Sequence, residues 1–365
     1  MSGRIGFAFG LFVIWSLCVA FPMLHIPKPG LAENRVLEDL PSYPKDLAEA
    51  LRYTSKLDAY VKDNFPPRQN AIAWLNYARY RLGYSGLKQV LVGPNGWLFH
   101  DNGATIAFHR GVQPLSALDK NAWVDGFWQR TAWLEEKGAF FYVFAAPLKS
   151  TIYPEEMPLW AKQGNNEAAE LLSMAKSDRA INGIAQLMDA KHDRMMYGPF
   201  DTHWNAFGAY HAYRQIIFRI GMDIPEVGAP LEVARLPDFV DHSQQQPKDL
   251  ALMLGIAGYV SIDHPTRATS PLHDQAKTTF LNEKRDWTAP QILNTSSSSG
   301  KSLLLIRDSF STELLPLLKA HFSSIIVTHT QDGFFPMELI KRYRPDAVML
   351  EVQEAGLRHA MDALK

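Results

Sequence analysis

The stretch "KSLLLIRDSFSTELLPLLKAHFSSIIVTHT", residues 301–330, restricts the possible folds of this chain more than any other. It reads as an apolar strand, a polar turn, a helical pattern and a second apolar strand, which together make one strand–helix–strand unit. A strand that is apolar at nearly every position is covered on both faces, and such strands belong to parallel sheets packed between helices. "GAFFYVFAAP" at 138–147 and "RPDAVMLEV" at 344–352 repeat the pattern. Helical patterns at 114–137, 165–190 and about 204–220 lie between them. Alternation of this kind predicts an α/β sandwich with a mostly parallel sheet. Two helices, 44–64 and 67–83, are predicted ahead of the sheet and are separated at Pro66 and Pro67. "KQVLVGPNGWLFH" is a hairpin signal, with its turn at Gly93–Gly96. From 222 to 300 the pattern lapses into Pro-rich sequence that ends in "LNTSSSSGKS", read here as an insertion or lid within one domain.

The N-terminus addresses location. Arg4 precedes an uncharged run from Ile5 to Phe21, followed by Pro22. Residues 1–24 are therefore predicted to be a signal-anchor or transmembrane segment, retained rather than cleaved. The positive-inside rule then places the rest of the chain outside the cytoplasm, which in a bacterium is the periplasm, attached to the inner membrane. Residues 25–43 are Pro-rich and polar and read as a linker, leaving 44–365 as the folded domain. The one cysteine, Cys18, lies inside the apolar run, so the exported part has neither a disulfide nor a thiol nucleophile. The 37 Lys and Arg against 38 Asp and Glu give no general attraction for nucleic acid. Aromatic residues make up 12 %, which suits a carbohydrate-facing groove, although core packing accounts for most aromatics more simply.

In an open parallel sheet, ligands gather where strands end and helices begin. "LLLIRDSFSTELL" puts Ser309 at such a point, as a nucleophile or as an N-cap serine. A catalytic serine needs a base and a group to orient that base. "YGPFDTHWNAFGAYHAY", 197–213, supplies the right types, Asp201 and His203, at a spacing that puts both on one side of an extended segment. The alternative is that Asp201 merely starts the helix that follows. A metal site has less support, since the exported part has no cysteine and no second close histidine pair. Lys149 and Tyr153 in "PLKSTIYPE" follow a buried strand and are candidates to line the same cleft, or to clamp a loop. Trp97 and Trp204 are candidates for sugar platforms or core, with Trp97 assigned to the core.

Taken together, "ENR" at 33–35, "GPNGWLFH" at 93–100, "PLKSTIYPEEMP" at 147–158, "DTHWNAFGAY" at 201–210, "RDSFS" at 307–311 and "RPDAVMLEV" at 344–352 resemble, in order and spacing, the alginate O-acetyltransferase family of the AlgJ and AlgX type. The resemblance runs over nearly the whole chain. It implies an SGNH-hydrolase-like three-layer α/β sandwich with permuted motif order. It further implies Ser309 as nucleophile, His203 as base and Asp201 as the acid that orients it. Arg307 stands where the family commonly has glycine, which brings a positive charge beside the site and raises the question of the turn geometry.

The family implies a periplasmic O-acetyltransferase that acylates hydroxyls of an exported polysaccharide, alginate-like or another exopolysaccharide, through an acetyl-serine intermediate. No cofactor and no metal are implied. The implied donor partner is a membrane-bound O-acyltransferase. A periplasmic carbohydrate esterase with the same triad is the nearest alternative, and a tethered polysaccharide-binding scaffold is the non-enzymatic one.

Overall fold

The computed structural model describes residues 38–64, 66–232, 249–261 and 276–361. The anchor at 1–24 and most of the linker lie outside them. Two helices come first, α1 (Leu47–Asn64) and α2 (Pro66–Arg81), where the prolines predicted the break. Strands β1 (Val90–Val92) and β2 (Leu98–His100) form the expected antiparallel hairpin. Asn95 and Gly96 in its turn take left-handed φ values of 58° and 79°, which asparagine and glycine adopt more readily than other residues. The hairpin is tied to the rest of the domain by Leu98 N–H, which donates to Pro199 O at 2.8 Å.

Next come α3 (Ala117–Glu135), β3 (Phe140–Ala146), α4 (Glu167–Met174), β4 (Ala180–Asn182), α5 (Ile184–Ala190) and α6 (Ala206–Asp223). After them lie α7 (Asp249–Leu254), β5 (Lys277–Phe280), β6 (Gln291–Asn294), β7 (Ser302–Arg307), β8 (Ser324–His329), α8 (Met337–Tyr343) and β9 (Ala347–Gln353). Strands β3 to β9 form one sheet in the order β4-β3-β9-β7-β8-β6-β5. Neighbours run parallel from β4 through β8, while β6 and β5 add antiparallel to the edge.

Alternate residues of each central strand serve different cores, as a doubly covered sheet requires. Tyr142 and Phe144 of β3 pack with Ile216, Ile217 and Ile220 of α6 on one face. Phe141 and Val143 pack with Phe127 and Leu134 of α3 on the other.

The structure departs from the sequence expectation in three places. The helical pattern at 165–190 is broken by β4: Lys176 adopts a left-handed φ of 48° after α4, and Ile181 then pairs beside Phe144. A strand of three residues is too short to show a period of two. Secondly, the segment 222–300 is not an insertion throughout, because residues 277–280 and 291–294 within it are the antiparallel edge of the main sheet. Their sequence is too polar and too short to advertise strand. Finally, the connection from β7 to β8 holds a 3₁₀ turn, Ser309–Thr312, and a short helix, Leu315–Leu318, instead of one continuous helix.

Candidate active site

Strand β7 ends at Arg307, and the chain turns at once into the 3₁₀ segment that begins with Ser309. Asp308 caps that turn. Its Oδ1 accepts from Phe310 N–H at 2.9 Å, and its Oδ2 accepts from Gln353 N–H at 2.7 Å, at the end of neighbouring β9. Asp308 N–H in turn donates to Glu351 Oε2 at 3.3 Å. The serine therefore does not serve as the N-cap, and its hydroxyl is left for another partner.

That partner is His203, whose Nε2 lies 2.8 Å from Ser309 Oγ. The Nδ1 of the same ring faces Asp201 Oδ1 at 3.2 Å, and the same oxygen accepts His203 N–H at 2.9 Å. The choice between helix start and paired side chains is decided by Asn205. Its Oδ1 accepts from Phe207 N–H at 3.0 Å and Gly208 N–H at 3.1 Å, so it caps α6 and leaves Asp201 free to orient the imidazole. Trp204 joins the two loops: its indole N–H donates to Phe310 O at 2.9 Å and its ring meets that of Phe310 edge-on at 5.3 Å. Asn205→Ala is expected to cost about 1–2 kcal/mol of stability, read as a lower urea midpoint, because α6 loses its cap and Met195 O loses its 2.6 Å donor.

Asp249, which no sequence pattern singles out, completes the surroundings of His203. Its Oδ2 lies 3.8 Å from His203 Nδ1, its Oδ1 accepts from Thr202 N–H at 2.8 Å, and its own N–H donates to Asp201 Oδ2 at 3.3 Å. It begins α7, inside the segment expected to be a lid, and no motif in the sequence links it to 201–203. Burial disfavours the charged imidazole, but the hydrogen bond that its Nδ1–H donates to Asp201 and the charges of Asp201, Asp249 and Asp308 outweigh it, so the His203 pKa is raised above the usual 6.5. Burial and the Asp201 charge raise that of Asp249. Asp201, His203 and Asp249 each offer one ligand atom within 4.8 Å of the others, as a cation site would need.

The other residues selected from the sequence have different work. Lys149 is 4 % exposed, and its ammonium donates to the carbonyls of Gly198 (3.2 Å), Pro199 (3.3 Å) and Asp201 (2.6 Å). It holds the Asp201 loop from beneath and cannot line a substrate cleft. Burial draws its pKa down to about 7, against the pull of Asp201 and Asp249. Tyr153 is also buried: its hydroxyl accepts from Met196 N–H at 2.9 Å and its ring lies 4.7 Å from that of Trp97, which is itself core as expected. Trp204 is buried between the two loops, so it offers no platform to a sugar. Arg307 is engaged by the loop before β6. Its guanidinium donates to Trp287 O at 2.5 Å and sits 5.4 Å from the Trp287 ring centroid. Glu351 on β9 is wholly buried, and burial together with the Asp308 charge pushes its carboxyl well above the usual range.

Among solved structures, the fold is similar to Bacillus cereus PatB1 with a sulfonyl adduct, at a TM-score of 0.52 and 14% identity, covering 75% of this chain and 98% of that one. At such identity the likeness is one of fold. The O-acetyltransferase domain of Pseudomonas putida AlgJ aligns over 75% of this chain and 93% of its own, with 14% identity and a TM-score of 0.43. In sequence, the probable alginate O-acetylase AlgJ of Pseudomonas syringae pv. tomato (strain ATCC BAA-871 / DC3000) is 28% identical over 192 residues. That match takes in 49% of this chain and 45% of that protein, so the chain spans less than half the length of this relative. A family model described as "SGNH hydrolase-like domain, acetyltransferase AlgX" matches residues 90–344, from the hairpin to α8. With Ser309, His203 and Asp201 all inside the matched stretch, the chain belongs to the SGNH hydrolase-like acetyltransferase family of AlgX and AlgJ.

Proposed function

We propose that this chain is an O-acetyltransferase that carries an acetyl group on Ser309 and delivers it to hydroxyls of an exported polysaccharide. The observation that carries the reading is the 2.8 Å contact between His203 Nε2 and Ser309 Oγ, backed by Asp201 on Nδ1. Neutral His203 takes the serine proton as Oγ attacks the donor ester carbonyl, and the imidazolium is stabilised by Asp201 and Asp249. The proton then passes to the departing alcohol, which leaves acetyl-Ser309. A sugar hydroxyl next loses its proton to His203 and attacks the acetyl carbonyl. The new ester departs and the proton returns to Oγ. We assign the oxyanion to Ser309 N–H: Phe310 N–H is already taken by Asp308, and no hydrogen bond engages that of Ser309 among the described residues.

In this reading residues 1–24 anchor the chain in the bacterial inner membrane and 25–43 tether the domain in the periplasm. A membrane-bound O-acyltransferase supplies the acetyl group from across the membrane. No helix among the described residues is long and apolar enough to cross a membrane. The esterase alternative differs only in the acceptor. Supplying an activated acetyl ester with and without polysaccharide separates the two: new ester on the polymer supports transfer, and acetate alone in both arms overturns it.

The raised His203 pKa gives a pH test. Acylation requires neutral imidazole, so its rate falls as the pH drops through a midpoint above 6.5. Asp249→Asn removes a charge 3.8 Å from Nδ1 and is expected to move that midpoint to lower pH, measured as the pH dependence of the acylation burst. An unmoved midpoint would remove Asp249 from the site.

A further inference from the structure

We propose that Trp287 forms an acceptor subsite in which a pyranose ring of a saccharide stacks on the indole at the same edge of the sheet as Ser309. The inference rests on the transfer reading and adds the place where the acceptor binds.

The topology puts Trp287 at the correct end of the sheet. Strand β6 begins at Gln291, which pairs with Val327 near the end of β8, and β8 ends with His329 opposite Arg307. The loop from β5 to β6, residues 281–290, therefore rises from the same edge as the serine turn. Within it, the Trp287 ring meets His329 edge-on at 5.0 Å and lies 5.4 Å from the Arg307 guanidinium, two residues before Ser309. Trp287 is half exposed, at 50 %, while hydrogen bonds hold the loop that carries it. Arg307 is bonded to the Trp287 carbonyl, Thr288 N–H donates to Asp286 Oδ1 at 2.9 Å, and Ala289 N–H donates to Asp286 O at 3.1 Å.

An indole held in place yet open to solvent suits the C–H face of a sugar ring, because stacking on it orders little of the protein. Trp204, the aromatic that the sequence left open for this task, is buried, as is Trp97, which the sequence assigned to the core. The charges nearby partly cancel: Lys284 faces Asp286 at 3.8 Å, and half-buried Asp308 and buried Glu351 accompany Arg307. Recognition at this ring is thus by stacking. A sugar bound there brings a hydroxyl toward acetyl-Ser309 at the expense of water, so the residue acts on the partition of the intermediate and not on its formation.

The test uses the full-length protein in detergent, p-nitrophenyl acetate as donor, and uronate and neutral glucan hexasaccharides as acceptors. Trp287→Ala retains the carbonyl that holds Arg307. It is expected to leave the p-nitrophenolate burst within about twofold, and to lower the ratio of acetylated saccharide to free acetate about five- to tenfold; Trp287→Phe recovers most of that ratio. An unchanged ratio, or a burst that falls with it, overturns the subsite. Binding of the same saccharides to Ser309→Ala, with and without Trp287→Ala, separates the two claims. Binding that is lost with the indole supports the subsite even if the wild type transfers nothing, which would defeat the transferase reading alone. Binding in neither protein, together with no transfer, defeats both.

Discussion

Ser309→Ala protein treated with an activated acetyl ester is expected to acquire no acetyl adduct on the 307–311 peptide, where the wild type is expected to carry one, and its turnover to fall by about 10⁴-fold or more. His203→Ala loses the adduct as well, because serine at neutral pH is a weak nucleophile without a base at the 2.8 Å seen here. The two groups act on one proton, so the double variant is expected to lose no more than either single variant; a further large loss would mean that they act separately. Folding is not at issue for the serine, which is only partly buried at the start of a turn that Asp308 caps. Peptide mapping by mass spectrometry reads the result directly. An adduct that persists in Ser309→Ala would move the nucleophile elsewhere and sink the mechanism.

Lys149→Met is expected to have the largest effect on stability, a loss of about 3 kcal/mol or more, measured by urea unfolding. Methionine fills much of the same space, so the loss reports mainly on the hydrogen bonds. Pro199 O keeps the Leu98 N–H at 2.8 Å and Gly198 O the longer contact from Asp201 N–H at 3.4 Å, but the Asp201 carbonyl would remain buried without the ammonium that meets it at 2.6 Å. Because the Asp201 carbonyl is the closest of the three, the loop that aims the carboxylate at His203 loosens with it, and acylation slows in the fraction that still folds. A variant as stable and as fast as wild type would show that the loop holds itself. The Phe99 and Trp97 rings lie 5.0 and 5.7 Å from the ammonium.

Several features could be read directly from short stretches. The central strands β3, β7, β8 and β9 are apolar at nearly every position, which only a doubly covered sheet explains, and each lies where its sequence run predicted. The Gly93–Gly96 turn and the break at Pro66 followed from backbone chemistry alone. Ser309, His203 and Asp201 were legible as residue types at strand and helix junctions, together with the motif order, and the structure brings the three within hydrogen-bonding distance. Edge strands β5 and β6 were hidden, because they are short and largely polar, β6 being defined by pairing with β8 and β5 by pairing with β6.

By itself the sequence determined the class of fold, its main strands and the triad-type residues, since these follow from local periodicity and from side-chain chemistry. Only the tertiary structure decided which way each polar side chain points. It placed Asp249, 46 positions after His203, against the imidazole. It sent Lys149 under the Asp201 loop, enclosed Tyr153 and Trp204, and left Trp287 open above Arg307. The physical reason is that burial and hydrogen-bond partners are set by segments far apart in the chain, and no local pattern records which of them will meet.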